Sequence, residues 1–134
     1  MKKCSDNANY HIIDPLIESL VNTFNQCGFS TYASCQGHGC PVDYMKPYIA
    51  FMSTREEAER LEQLLREDME SPLPKLNWGW MIEGRFNDAY QLCFSLRLCG
   101  HRRWGYRYWR PSINHDFAVI EKMLITEFGS LSLI

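Results

Sequence analysis

The apolar residues of this chain change period in a fixed order, and that order restricts the fold more than any other feature. After Asp14 they fall at Leu16, Ile17, Leu20, Val21 and Phe24, one stripe at about 100° per residue, which predicts an amphipathic helix. Asp14 is placed to cap it, Pro15 to open its first turn and Gly28 to end it. Phe29 to Ala33 and Pro47 to Met52 then carry aromatic and β-branched residues at strand length. Helical period returns at Ala58, Leu61, Leu64 and Leu65, behind Thr54 and Glu57 at the spacing of a capping box. Ser71-Pro72-Leu73-Pro74 cannot extend that helix, because proline lacks the amide donor and clashes with the preceding turn.

Strand period follows again. Trp78, Trp80 and Ile82 share one side of Leu76 to Phe86, and Leu92, Phe94, Leu96 and Leu98 share one face of Tyr90 to Leu98. Asn87-Asp88 between them reads as the turn of a hairpin. Ile113, Phe117, Ile120, Met123, Leu124 and Phe128 define a third helix, capped by Ser112 or Asn114 and stopped by Gly129. Helix, strand, strand, helix, strand, strand, helix predicts an α+β two-layer sandwich, a mainly antiparallel sheet of about four strands with three helices on one face. With 134 residues, 46% apolar and 22% charged, there is material for one core, so residues 1–134 are expected to form a single domain.

No uninterrupted apolar run of about 18 residues occurs, and Met1 to Asn9 is polar, so neither a membrane span nor export is indicated and a cytoplasmic protein is expected. Six cysteines are too few, in a chain of this size, to make a disulfide framework the favoured reading. Cys27 and Cys93 sit in apolar stretches and read as small buried hydrophobes. The net charge of -2 excludes a protein that coats nucleic acid over its whole surface. It hides an asymmetry: Thr54 to Glu70 holds seven acids against three arginines, whereas Arg97 to Arg110 holds five arginines and no acid.

Between the first two strands, Ser34-Cys35-Gln36-Gly37-His38-Gly39-Cys40 gathers more polar chemistry than a connection needs. Two glycines permit positive φ, consecutive amides in such a turn can converge on an anion, and Ser34, Gln36 and His38 add side-chain contacts. A nucleotide phosphate or a carboxylate suits that arrangement. A metal reading draws on Cys35, His38, Cys40, Cys99 and His101, whose irregular spacing disfavours zinc. A nucleophilic reading makes Cys35 the thiolate with His38 or His101 as its base, although no acid at a recognisable spacing orients the imidazole. The fourth reading is a plain hairpin connection with a satisfied histidine.

From Asp14 to Leu65, a helix followed by Thr31, Ser34, Cys35 and Gly37, then a strand and a second helix, resembles the opening of the wybutosine-synthesis tRNA methyltransferase family. Gln36 and His38 stand where that family has serine and arginine. The resemblance implies that the loop lies at a ligand-binding surface. It also implies a guanosine of phenylalanine tRNA as substrate and S-adenosylmethionine as cofactor.

His101 to Arg110 interleaves Arg102, Arg103, Arg107 and Arg110 with Trp104, Tyr106, Tyr108 and Trp109. Arginine forks bind phosphates and aromatic faces stack on bases, so the strip suits RNA or a nucleotide. The same composition marks protein hot spots. A third reading is a strand whose Trp104, Tyr106 and Tyr108 face the core, with its arginines solvated or paired in cis to the acidic helix. The leading expectation is an anion-binding protein that takes a nucleotide or RNA element at Ser34 to Cys40, flanked by Arg102, Arg103, Trp104 and Arg107, with or without a modifying reaction. The alternative is an inhibitor or adaptor that docks an acidic or nucleoprotein partner on Arg102 to Arg110.

Overall fold

A computed structural model describes residues 13–129. Helix α1 spans Glu18–Gln26, strand β1 Ser30–Cys35, β2 Tyr48–Met52, helix α2 Arg55–Glu70, β3 Trp78–Phe86, β4 Leu92–His101 and helix α3 Pro111–Phe128, with a short 3-10 helix at Trp104–Tyr108. The strands form one antiparallel sheet in the order β1-β2-β4-β3. This is the α+β arrangement the hydrophobic periods require. Among the described residues no helix is long and apolar enough to cross a membrane.

Register explains the core. Phe51 pairs with Phe94, Ile49 with Leu96 and Leu98 with Trp80, so one face of the sheet is apolar along three strands. Period two puts the alternate residues on the other face. All three helices add to the same cluster, through Leu20, Val21 and Phe24 of α1, Leu61 and Leu65 of α2, and Phe117, Ile120 and Leu124 of α3. Phe29, just before β1, meets Phe51 at 5.3 Å and Phe128 at 5.1 Å between ring centres, both edge to face.

The helix ends divide into one confirmed cap and two corrections. Thr54 Oγ1 accepts the Glu57 N–H at 3.1 Å while Glu57 Oε1 accepts the Thr54 N–H at 3.2 Å, the reciprocal pair that the spacing predicts. Asp14 does not cap α1; residues 15–17 form turns, and its carboxylate points to the loop after β1. Nor do Ser112 or Asn114 cap α3, which starts at Pro111 with Arg110 in the cap position. Ser112 Oγ instead accepts the Trp78 Nε1–H at 2.9 Å. Beside it the fully buried Asp116 accepts the Asn77 and Trp78 amides at 2.8 Å and Trp80 Nε1–H at 2.9 Å. Burial pushes that carboxyl above its usual pKa against the three donors. Both indoles are thereby held in the core with their donors satisfied.

Candidate functional site

Residues 36–47 join β1 to β2 and hold Gln36, Gly37, His38, Gly39 and Cys40. They form a braced corner. Gly37 turns with φ +87°, where a Cβ would stand 3.1 Å from Pro47 Cδ and 3.2 Å from Met45 O. Glycine alone fits that approach without displacing its neighbours. His38 and Met45 then exchange backbone hydrogen bonds of 2.9 and 3.0 Å, closing the segment between them into a lobe.

Two side chains from outside the corner pin it, and Gln36 reaches out in return. Asp14 Oδ2 accepts the Gln36 N–H at 3.1 Å and lies 3.6 Å from His38 Nε2, an ionic contact once the imidazole is protonated but beyond hydrogen-bond length. Gln36 Oε1 accepts the Leu16 N–H at 2.9 Å, satisfying an amide of the turn that leads into α1. Arg110 supplies the strongest brace: Nη1 donates to Gly37 O at 3.0 Å, Nη2 to Gln36 O at 2.6 Å and Nε to Asn114 Oδ1 at 3.0 Å. Its guanidinium centre also lies 5.9 Å from the Phe117 ring centroid. Burial lowers the Arg110 pKa and Asp14 opposes the shift, and the guanidinium stays charged at physiological pH.

The candidate residues of the loop therefore have distinct fates. Ser34 is 1% exposed, pairs with Ile49 on the core side of the sheet, and its Oγ has no hydrogen-bond partner among the described residues. Cys35 is fully buried and disulfide-bonded, contrary to its reading as a thiolate, whereas Cys27, Cys40, Cys93 and Cys99 are free. A disulfide sulfur offers no thiolate for attack on a substrate or for binding zinc. Donor atoms of Asp14, Cys35 and His38 lie within 4.8 Å of one another, and this is the only such potential metal cluster among the described residues. With the sulfur oxidised and Asp14 already accepting from Gln36, the trio does not fit a metal ion. Cys40 and Cys99 are exposed thiols outside that cluster, and His101 sits edge-on to Trp78 at 5.8 Å. Sequence spacing gave no sign that Asp14 would be the acid beside His38.

The strip after β4 departs from the core-facing strand reading. Only nine residues link β4 to α3, and the chain reverses through the 3-10 helix, whose three-residue period replaces alternation. Tyr106 packs against the core, whereas Trp104, Tyr108 and Trp109 are 62%, 51% and 55% exposed. Trp104 and Tyr108 meet with centroids 5.0 Å apart, and Arg107 Cζ lies 5.9 and 5.8 Å from those two centroids. Arg107 Nε also donates to Asp43 Oδ1 at 3.2 Å, and its carbonyl accepts the Val42 N–H. Strip and corner are thus one surface, extended by the exposed Tyr44. Arg102 donates to Met69 O at 3.3 Å. Arg103 has no side-chain hydrogen bond or ion pair among the described residues. Among the described residues the ion pairs of the α2 acids stay within that helix, Glu59 with Arg55 and Glu62 with Arg66, and none reaches the strip.

Comparison of the chain with protein-family models, with curated proteins and with solved structures finds no match.

Proposed function

We propose that this chain binds an RNA element, with the arginine and aromatic strip as the contact surface and the 36–47 corner as its foundation. One observation carries the reading: two adjacent rings, Trp104 and Tyr108, are exposed around the Arg107 guanidinium instead of being packed. Exposed rings offer faces on which unpaired bases stack, and arginines supply phosphate contacts. Arg103, with no protein partner among the described residues, is available for such a contact. The Thr31, Ser34, Cys35 and Gly37 resemblance to a tRNA-modifying family favours the same ligand class. The proposal concerns binding: Ser34 lies in the core and Cys35 in a disulfide, so neither of these two offers a nucleophile to a ligand.

Titration with a single-stranded oligouridylate, followed by tryptophan fluorescence, tests it. Stacking contributes about 1–3 kcal/mol per base, so the double variant Trp104→Ala/Tyr108→Ala is expected to bind roughly ten- to a hundredfold more weakly with its urea midpoint nearly unchanged. An unaltered Kd in that variant rejects the reading. Equal affinity for a polyglutamate peptide would instead select the adaptor that docks an acidic protein.

A further inference from the structure

A groove lies between α2 and α3, and both of its ends are tied. At one end Arg60 of α2 pairs with Glu127 of α3. At the other, His115 Nε2 donates to Lys75 O at 2.9 Å, while Asp68 of α2 accepts the Lys75 N–H at 2.9 Å and the Leu76 N–H at 3.1 Å. From Arg60 to Asp68 along α2 is about 12 Å at 1.5 Å per residue. Leu64 of α2 and Val119 and Met123 of α3 make the floor, each packed on the core with part of its surface open. The concavity measures about 560 Å³. That volume lies within the roughly 300 to 1,000 Å³ typical of small-ligand sites.

The charge around this floor is one-sided. Lys75 and Lys122 stand exposed on the rim, and among the described residues neither ammonium has a hydrogen bond or an ion pair. The nearby acids are engaged elsewhere: Glu127 with Arg60, Glu121 with Ser19 and Thr23, and Asp68 with the two amides. Helical side chains slant toward the N-terminus, which directs Lys122 back along α3 toward His115 and away from Glu127. Positive charge therefore gathers toward the Lys75 end, with the aliphatic floor running away from it. A small inorganic anion would leave that floor wet, and a neutral hydrocarbon would leave both ammoniums unmet. A ligand with an acidic head and an aliphatic tail meets both demands.

We propose that the groove is a site for an aliphatic carboxylate, with its head at Lys75 and Lys122 and its chain along Leu64, Val119 and Met123. The ties at the two ends suit a short ligand and obstruct a partner helix, which would have to run through them. No lining residue belongs to the strip or the corner, so the site goes beyond the RNA surface proposed above.

Calorimetric titration of the unmodified protein with decanoate, decanol, hexanoate and inorganic phosphate tests it, with the amphiphiles kept below their aggregation concentrations. Decanoate is expected to bind saturably. Decanol, which lacks the charge, and hexanoate, which lacks several methylenes, should each bind about tenfold more weakly or worse. The double variant Lys75→Gln/Lys122→Gln should lose about tenfold in decanoate affinity and keep its affinity for decanol. Absence of saturable decanoate binding overturns the proposal, as does decanol or phosphate binding as tightly as decanoate. Decanoate affinity indifferent to the double variant also overturns it. An amphipathic peptide helix with a glutamate-rich face that binds more tightly than decanoate through the same lysines would assign the groove to a protein partner and reject the small ligand. Urea denaturation accompanies the variant, and if the variant unfolds, the comparison of decanoate with decanol and hexanoate on the unmodified protein carries the test.

Discussion

The corner at 36–47 and the strip at 102–109 are equally rich in polar groups, yet they dispose of them in opposite ways. In the corner, the Gln36 amide, carbonyl and side chain are all engaged, by Asp14, Arg110 and Leu16 respectively. In the strip, Trp104 and Tyr108 are more than half exposed and Arg103 has no partner among the described residues. A donor already satisfied by the protein has little left for a ligand, because exchanging one hydrogen bond for another yields little net free energy. Density of functional groups in a sequence marks where chemistry is concentrated. Whether that chemistry serves the fold or a partner depends on which groups remain unspent.

Stability measurements are the sharpest way to break this contrast, and Arg110→Ala should show the largest effect. It strips two carbonyls of their charged donor in a half-buried setting, with an expected loss of about 2–4 kcal/mol in urea denaturation. Arg110→Lys should recover only part of it, since a single ammonium cannot reproduce the fork that spans Gln36 and Gly37. A loss below about 0.5 kcal/mol would mean that the corner is not braced through Arg110, and the contrast would collapse. Gln36→Ala comes next, at about 1 kcal/mol, the cost of an uncapped Leu16 amide near the start of α1. RNA binding should fall in these variants only as far as the corner loses its shape.

Local rules succeeded where both partners are near in sequence. The Thr54 and Glu57 box needs nothing beyond its own turn, and the sheet core follows from alternation at Ile49 and Phe51 and at Phe94, Leu96 and Leu98. They failed where a distant group competes. Asp14 has the chemistry and position of a helix cap, but the Gln36 amide and His38, more than twenty residues away, claim its carboxylate. Trp104, Tyr106 and Tyr108 alternate as a strand would, but the short link from β4 to α3 demands a turn. The row of small residues on the other face of the sheet was hidden for another reason: Ala33, Ala50 and Ser95 become neighbours only once β2 is known to pair with β4 across α2 and β3 in the chain. Nothing in the spacing of three small residues announces that.

The smallest expected effect is also the one that separates charge from architecture within the strip. Arg103→Gln removes a charge that has no partner among the described residues, so stability should stay within about 0.5 kcal/mol. If Arg103 meets a phosphate, the slope of log affinity against log salt should fall by about 0.7, the value for one contact to a single strand. Arg107→Gln should behave differently, because Arg107 ties Asp43 to the Trp104 and Tyr108 rings and its loss loosens the stacking surface itself. Affinity would then drop at every salt concentration, beyond the change in slope. Identical salt profiles for the two variants would mean that both arginines act as bulk charge. The ordered pair of rings around Arg107 would then carry no part of the recognition.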